Sequence, residues 1–418
     1  MQIKLSPCKI RGNVCAPSSK SMLIRALAAS ILCKEKTIIR NFTLCDDAES
    51  AMNIIKSLGA EVVINKHKMQ IAIKHVNKTT RLHCGESALC LRIFTPVVAF
   101  FSDDFEVSGK NTLLNRNIND LLKALNLFGL QCENREKLPV RVTGKINGGE
   151  MKIDAGGTSQ TLSGLLTILP LCNENSVIDV ENLHSKPYID LTISILEKFG
   201  IKIINEDYKR FFIEGNQTYK ACRLNVEGDW SGASCLLAAA ATVGSITIEN
   251  LNSQSKQADV AMLDVLRLCG AEIMIKKNKI TVKKNQLNAF EFDATDCPDL
   301  FPAIVALASS CKGTSIVRGA LRLQNKESDR AEILKGEFAK LNIKIDIENN
   351  VMYICGGNIC ASSVNSHGDH RIAMALAAAS ACASGNIIIE NAECVAKSYP
   401  DFWIDFSKVT NQCIVRFE

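Results

Sequence analysis

Roughly 70 residues recur about six times along this chain, and that periodicity constrains its fold more than any single motif. Each unit opens with a run of small apolar residues: "RALAASILC", "LRIFTPVVAFF", "SGLLTILPLC", "ASCLLAAAAT", "FPAIVALASSC" and "IAMALAAASAC". A short alternating segment follows each run: "KTIIRN", "DFEVSGK", "NSVIDVEN", "GSITIEN", "GTSIVRG" and "GNIIIEN". In the first five units an amphipathic segment comes next, ending at Leu58-Gly59, Phe128-Gly129, Phe199-Gly200, Cys269-Gly270 and Leu341-Asn342. Gly and Asn tolerate the left-handed conformation that closes a helix, so these pairs predict helix ends.

Runs that are apolar nearly all round predict helices buried against other helices. Segments such as "SITIE" alternate and predict strands with one face toward water. The expected class is therefore α/β, an inside-out barrel arrangement: two lobes, each of three repeated βαβαββ-type units with buried helices and outer sheets. One unit cannot bury its own apolar surface, so units group around a shared helical core. Three units per lobe divide six evenly. We expect residues 17–228 to form one lobe, and 1–16 with 229–418 the other, the opening strand "IKLSPCKIRGNV" completing the second. The last unit lacks the amphipathic repeat and ends in the strand-like "CIVRFE". At 418 residues two domains are the natural expectation.

A net charge of +5 with no basic block argues against a dedicated nucleic-acid surface. The 18 cysteines contain no C-x-x-C pair and are scattered through the apolar runs. Small buried thiols in a reducing compartment are therefore expected, with neither disulfides nor zinc. The N-terminal "MQIKLSPCKI" has no apolar signal region, and no uncharged run reaches membrane-spanning length. A cytoplasmic protein is expected, without a membrane partner.

Chemistry-bearing residues precede or open each small-residue run: Lys20-Ser21, Glu86-Ser87, Ser159-Gln160, Ser231, Asp299 and His370-Arg371. A helix start exposes free N–H groups and the positive end of the dipole, which favours anions. Taken singly, Ser21, Ser159, Ser231 and Asp299 read as N-caps. Six in register, with Lys20, Arg25 and Arg371 beside them, point to a highly anionic ligand. Lys326, Glu327 and Arg330 in "NKESDRAEIL" and Lys397 in "AKSYPDFW" extend the set.

With these motifs in place, the chain resembles the 5-enolpyruvylshikimate-3-phosphate synthase family. The resemblance rests on "PSSKSMLIRAL", "TSQTLSGLL", "SKPYIDLTI", "EGDWSGAS", "CPD", "NKESDRAEIL", "GDHRIAMALAAA" and "CVAKSYPDFW", in order from about Pro17 to Phe406. It implies the inside-out barrel pair with substrates in the cleft. The implied reaction moves the enolpyruvyl group of phosphoenolpyruvate to the 5-hydroxyl of shikimate 3-phosphate, through a tetrahedral ketal phosphate, with release of phosphate. No cofactor and no metal are implied, and a monomer is expected. The sister family that uses UDP-N-acetylglucosamine shares fold and chemistry but not this set of motifs. A binding protein on the same scaffold without catalysis is the reading from another class.

By the same resemblance Asp299 is the base at the attacking hydroxyl, Glu327 handles the methylene proton, and Lys20 assists. Shikimate 3-phosphate is expected on Lys20, Ser21, Arg25, Thr158, Ser159, Gln160, Ser185, Tyr188, Asp299 and Lys326. Phosphoenolpyruvate is expected on Lys20, Gln160, Arg330, Arg371 and Lys397, with Ala88 and Arg116 as further candidates. His370 is expected in a supporting position.

The chain departs from the family pattern in one loop. "GESALCLR" has Glu86 for the family's asparagine, Ala88 for glycine and Leu89 for threonine, while Arg92 is kept. Either Glu86 turns away from the anion, toward Arg92, or this loop binds differently. Thr112 stands where an arginine is expected, with Arg116 as its substitute, and Arg322 where many members carry an amide. The extra methyl of Ala88 predicts weak sensitivity to the inhibitor glyphosate.

Overall fold

The structure is a computed structural model and describes residues 1–66, 68–73, 75–133, 136–324, 326–412 and 415–417, the last three for their backbone alone. Cys413 and Ile414, part of the strand-like terminus, lie outside the described residues, whereas Val415–Phe417 is a strand. The chain divides into two compact units, Ser18–Val226 and Met1–Pro17 with Glu227–Glu418. Six four-stranded sheets are present among the described residues, three in each unit.

Every sheet is built on one plan, seen most simply in the third repeat. Strand Gly149–Asp154 lies parallel to Ser176–Glu181, from Gly149 opposite Ser176 to Asp154 opposite Glu181. Helix Gln160–Ile168 makes the crossover between them. Helix Lys186–Lys198 then leads to the hairpin Ile204–Glu206 and Arg210–Ile213, whose second strand pairs antiparallel with Ser176–Glu181. Parallel neighbours need such a crossover, and four of the repeats carry a helix between their first two strands.

Two repeats borrow their first strand from far away in sequence. Arg223–Asn225 runs parallel to Thr37–Arg40 and closes the first repeat from the end of the third. Arg11–Cys15 runs parallel to Ser245–Glu249, serving the fourth repeat. The opening segment, expected as one strand, is two: Gln2–Leu5 joins a different sheet, between Ile387–Glu390 and Val415–Phe417. The sixth repeat also has a second helix, Phe402–Thr410, which the sequence reading lacked; its Phe402, Trp403, Phe406 and Val409 are buried. The proline-broken "SYPDFW" start and its crowded aromatics hid the helical period.

The small-residue runs are the core helices. His370–Ser380 and Phe301–Ala308 are buried at every position, and Lys20–Ser30 at every position except Ser21. Helices Trp230–Val243, Phe301–Ala308 and His370–Ser380 pack against one another in one unit. In the other unit, Ala88–Phe101 packs on both Lys20–Ser30 and Gln160–Ile168. There Pro96 lacks the N–H that would bond the Arg92 carbonyl, and Gly164 sits against that oxygen. A Cβ on Gly164 would stand 2.1 Å from it, so only glycine permits this approach. The sheets keep one wet face: in Ser245–Glu249 only Ile246 and Ile248 are buried. The helix ends expected at Gly59, Gly129, Gly200, Gly270 and Asn342 all have positive φ, from 65° to 97°.

Candidate active site

In the unit Ser18–Val226 the first core helix is capped by Ser19, not Ser21: Ser19 Oγ accepts from the Met22 amide at 3.4 Å. This makes Lys20 the first helical residue, with its ammonium 2.9 Å from Asp47 Oδ2. Arg25 is buried a turn further on. Its Nε donates to Thr192 Oγ1 at 2.8 Å, and its terminal nitrogens to the Ser21 carbonyl at 2.9 Å and Ser163 Oγ at 3.4 Å. Burial pushes this guanidinium down to about 10, with Tyr188 acting in the opposite direction. Thr192 Oγ1 lies 2.9 Å from Ser163 Oγ and 2.8 Å from the Tyr188 carbonyl, joining three helices through hydroxyls.

Ser185, in the left-handed region at φ 58°, precedes helix Lys186–Lys198 and brings Tyr188 into its first turn. Thr158 Oγ1 accepts from the Gln160 amide at 3.2 Å, and the buried Gln160 side-chain oxygen takes no hydrogen bond. Thr192 and Ser163 were missed in the sequence reading. Their signal was the four-residue spacing from Tyr188 and Ser159.

Glu86 does not turn to Arg92. Its carboxylate accepts from Asn111 Nδ2 at 2.6 Å and Thr112 Oγ1 at 3.1 Å. Arg92 instead reaches the carbonyls of Ala88, at 3.5 Å, and Asn117, at 3.4 Å. Burial, and next the charge of Arg116, push Arg92 down to about 10, with Asp120 opposing. Ser87 caps the helix that Ala88 opens, its Oγ 3.3 Å from the Cys90 amide.

The other unit gathers charge differently. Arg330 is completely buried and binds three carboxylates. It donates to Asp369 at 2.7 and 3.2 Å, to Asp299 at 2.9 Å and to Glu327 at 2.5 Å. Arg371 donates to the other Asp299 oxygen at 3.0 Å, and Lys326 lies 3.3 Å from Asp299. Asp369 caps helix His370–Ser380 by accepting from the Arg371 amide, which places Arg371 in its first turn. Asp229, rather than Ser231, caps Trp230–Val243. His370 is buried, with Nδ1 3.8 Å from Asp369. Lys397 ends the turn Ala392–Lys397, buried, where Trp403 Nε1 holds the Ala392 carbonyl at 2.8 Å.

Two neighbouring carboxyls are driven apart. Burial raises Asp299, but Arg371, then Lys326 and Arg330, outweigh it and hold the group well below the usual carboxylate range. Asp259, buried and bonded to Ser231 Oγ, is pushed up to about 8 by burial first and by Asp299 next. The surrounding cations thus favour the charged form of Asp299, and burial the neutral form of Asp259. Lys326 is lowered by burial against the pull of Asp299, and Arg330 is raised well above its usual value: Asp369, Glu327 and Asp299 overcome its burial. Asp259 and Asp47 were not anticipated, because nothing in their local sequence marks them.

Comparisons with known proteins bear on the family and the fold. The model of the family "EPSP synthase (3-phosphoshikimate 1-carboxyvinyltransferase)" matches residues 6–406. A 3-phosphoshikimate 1-carboxyvinyltransferase from Clostridium kluyveri is 36% identical over 413 residues, covering 97% of this chain and 96% of the relative. One from Clostridioides difficile is 35% identical, with 97% and 96% covered. Among solved structures, EPSP synthase from Acinetobacter baumannii superposes with a TM-score of 0.83 at 21% identity, covering 99% of both chains. An enolpyruvyl transferase from Streptomyces tendae gives 0.79 at 15% identity, covering 99% of this chain and 98% of that one. Among the described residues no helix is long and apolar enough to cross a membrane. The family match across nearly the whole chain and the full-length relatives above 30% identity together place this chain in the EPSP synthase (3-phosphoshikimate 1-carboxyvinyltransferase) family.

Proposed function

We infer that the chain transfers the enolpyruvyl group of phosphoenolpyruvate to the 5-hydroxyl of shikimate 3-phosphate, releasing phosphate, as a step toward aromatic amino acids. One observation carries the assignment of roles: the Asp299 carboxylate lies 2.9 Å from Arg330, 3.0 Å from Arg371 and 3.3 Å from Lys326, the cations that the resemblance assigns to the two anionic substrates. Asp299 takes the proton of the attacking hydroxyl. Glu327, hydrogen-bonded to Arg330, delivers a proton to the methylene carbon and recovers it when phosphate leaves; Lys20 assists both transfers.

Shikimate 3-phosphate is held by Lys20, Ser21, Arg25, Thr158, Ser159, Gln160, Ser185 and Tyr188, together with Asp299 and Lys326. Phosphoenolpyruvate is held by Lys20, Gln160, Arg330, Arg371 and Lys397, with Arg116 supplying the cation that Thr112 cannot. Support comes from burial: Arg25, Arg330, Arg371, Lys20 and Lys397 are all at most 9% exposed. A buried cation keeps much of its field for a ligand that displaces water. Ala88, first in its helix, adds a methyl beside phosphoenolpyruvate, so glyphosate inhibits weakly while turnover is retained. An inhibition curve matching that of Ala88→Gly would contradict this. We further propose a monomer in the cytoplasm, in keeping with free thiols at every described cysteine.

Phosphate release from phosphoenolpyruvate, measured with shikimate 3-phosphate or UDP-N-acetylglucosamine as acceptor, tests the reading. Release with shikimate 3-phosphate alone is expected. Release with the UDP-sugar alone, or with neither, would contradict it.

A further inference from the structure

Strands Arg81–His83 and Asp104–Ser108 lie parallel, so the loops leaving them emerge at the same end of their sheet. Their backbones meet there: Cys84 N donates to the Ser108 carbonyl at 2.9 Å, and Lys110 N to the Gly85 carbonyl at 2.8 Å. Glu86 then faces the turn Asn111–Asn115 and accepts from both Asn111 and Thr112. Asn111 holds a left-handed φ of 47°, and Leu113, fully buried, anchors the turn from its apolar side. The turn closes on Arg116, whose amide donates to the Leu113 carbonyl at 3.2 Å. Arg116 is thus tied through one short turn to the carboxylate of Glu86.

We propose that Glu86 is a positioning residue for phosphoenolpyruvate. Clamped between Asn111 and Thr112, it fixes the turn that delivers Arg116. Glu86 and Thr112, two positions singled out in the sequence, thus meet in one contact. The charge of Arg116 bears on Arg92 across this loop, with Asp120 opposing. Asp46, first in helix Asp46–Ser57, feels the charge of Glu86. The hydrogen bonds from Asn111 and Thr112 are charge-assisted, which strengthens them.

This inference rests on the role assigned to Arg116 above, and its test separates the two. KM for each substrate and kcat are measured by phosphate release for the wild type, Glu86→Ala, Glu86→Gln, Thr112→Val and the Glu86→Ala/Thr112→Val pair. Glu86→Ala is expected to raise KM for phosphoenolpyruvate about tenfold. KM for shikimate 3-phosphate and kcat should stay within about twofold. Glu86→Gln, which can accept from Asn111 and donate to Thr112, should restore nearly wild-type behaviour. The pair should be no worse than Glu86→Ala alone, because both changes cut the same link. An unchanged KM for phosphoenolpyruvate in Glu86→Ala would overturn the inference. So would an equal rise in both KM values, failure of Glu86→Gln to rescue, or additive losses in the pair. Wild-type activity with shikimate 3-phosphate reports on the assigned reaction itself, and only the ratios among variants report on the clamp.

Discussion

Arg25 and Arg330 are both buried arginines at the heart of their units, yet they meet the cost of burial in opposite ways. Arg25 is surrounded by neutral oxygens, the hydroxyls of Thr192 and Ser163 and the Ser21 carbonyl. Its burial is not offset by a bonded carboxylate, and its guanidinium is pushed down to about 10. Arg330 is bonded to Asp369, Asp299 and Glu327 and is raised well above its usual value. The first arrangement leaves positive charge in reserve for an anion. The second is balanced by carboxylates and, after Arg371 and Lys326, helps to hold Asp299 well below the usual carboxylate range. On the reading proposed above, Arg25 meets its anion with an unneutralised charge, whereas Arg330 meets its own with carboxylates already bonded to it.

The largest effect expected from this contrast is on stability. Arg330→Met leaves three carboxylates without their shared cation and should cost about 3–5 kcal/mol, read as a fall in the urea midpoint. Arg25→Met, whose former partners are neutral hydroxyls and a carbonyl, should cost about 1–3 kcal/mol. Equal losses would break the contrast. Ligand affinity gives the next effect, in the reverse order: Arg25→Met should weaken shikimate 3-phosphate binding by about 10- to 100-fold, the equivalent of a lost charge-assisted contact. Calorimetric titration checks this, and an unchanged affinity would remove Arg25 from the binding set.

A smaller effect should appear in the pH dependence of stability. Asp259 is pushed up to about 8 in the folded chain. Its contribution is fully present below about pH 4, where the unfolded aspartate is also protonated. It is lost as pH rises toward 8, because the unfolded chain ionises while the folded one must keep a proton. The slope is at most ~1.4 kcal/mol per pH unit. Asp259→Asn, which mimics the neutral acid, should flatten stability between those limits. A slope identical to the wild type would show that Asp259 does not carry it.

Much of the fold was legible because its signals are local. An alanine-rich run apolar on every face can only be a buried helix, and Gly or Asn after an amphipathic run forces the left-handed stop seen at Gly59 and Asn342. The strand exchange was harder to read. Nothing in "IKLSPCKIRGNV" says that Gln2–Leu5 and Arg11–Cys15 serve different sheets, since that choice is made by partners over 200 residues away. Caps were misplaced by two residues, at Ser19 and Asp229, because the chain's approach to the helix selects the cap among adjacent polar residues. Within the site, the residues in charged motifs were visible. Asp259, Thr192 and Ser163 were not, because their significance arises only from what is folded against them. Glu86 was visible as an anomaly, but its partners, Asn111 and Thr112, were not.

The role proposed for Asp299 is tested most directly by single-turnover phosphate release from Asp299→Asn at saturating shikimate 3-phosphate and phosphoenolpyruvate. The account predicts a rate lower by about 100- to 10,000-fold, the usual loss on removing a general base, in a protein that still titrates with shikimate 3-phosphate. A wild-type rate would contradict it.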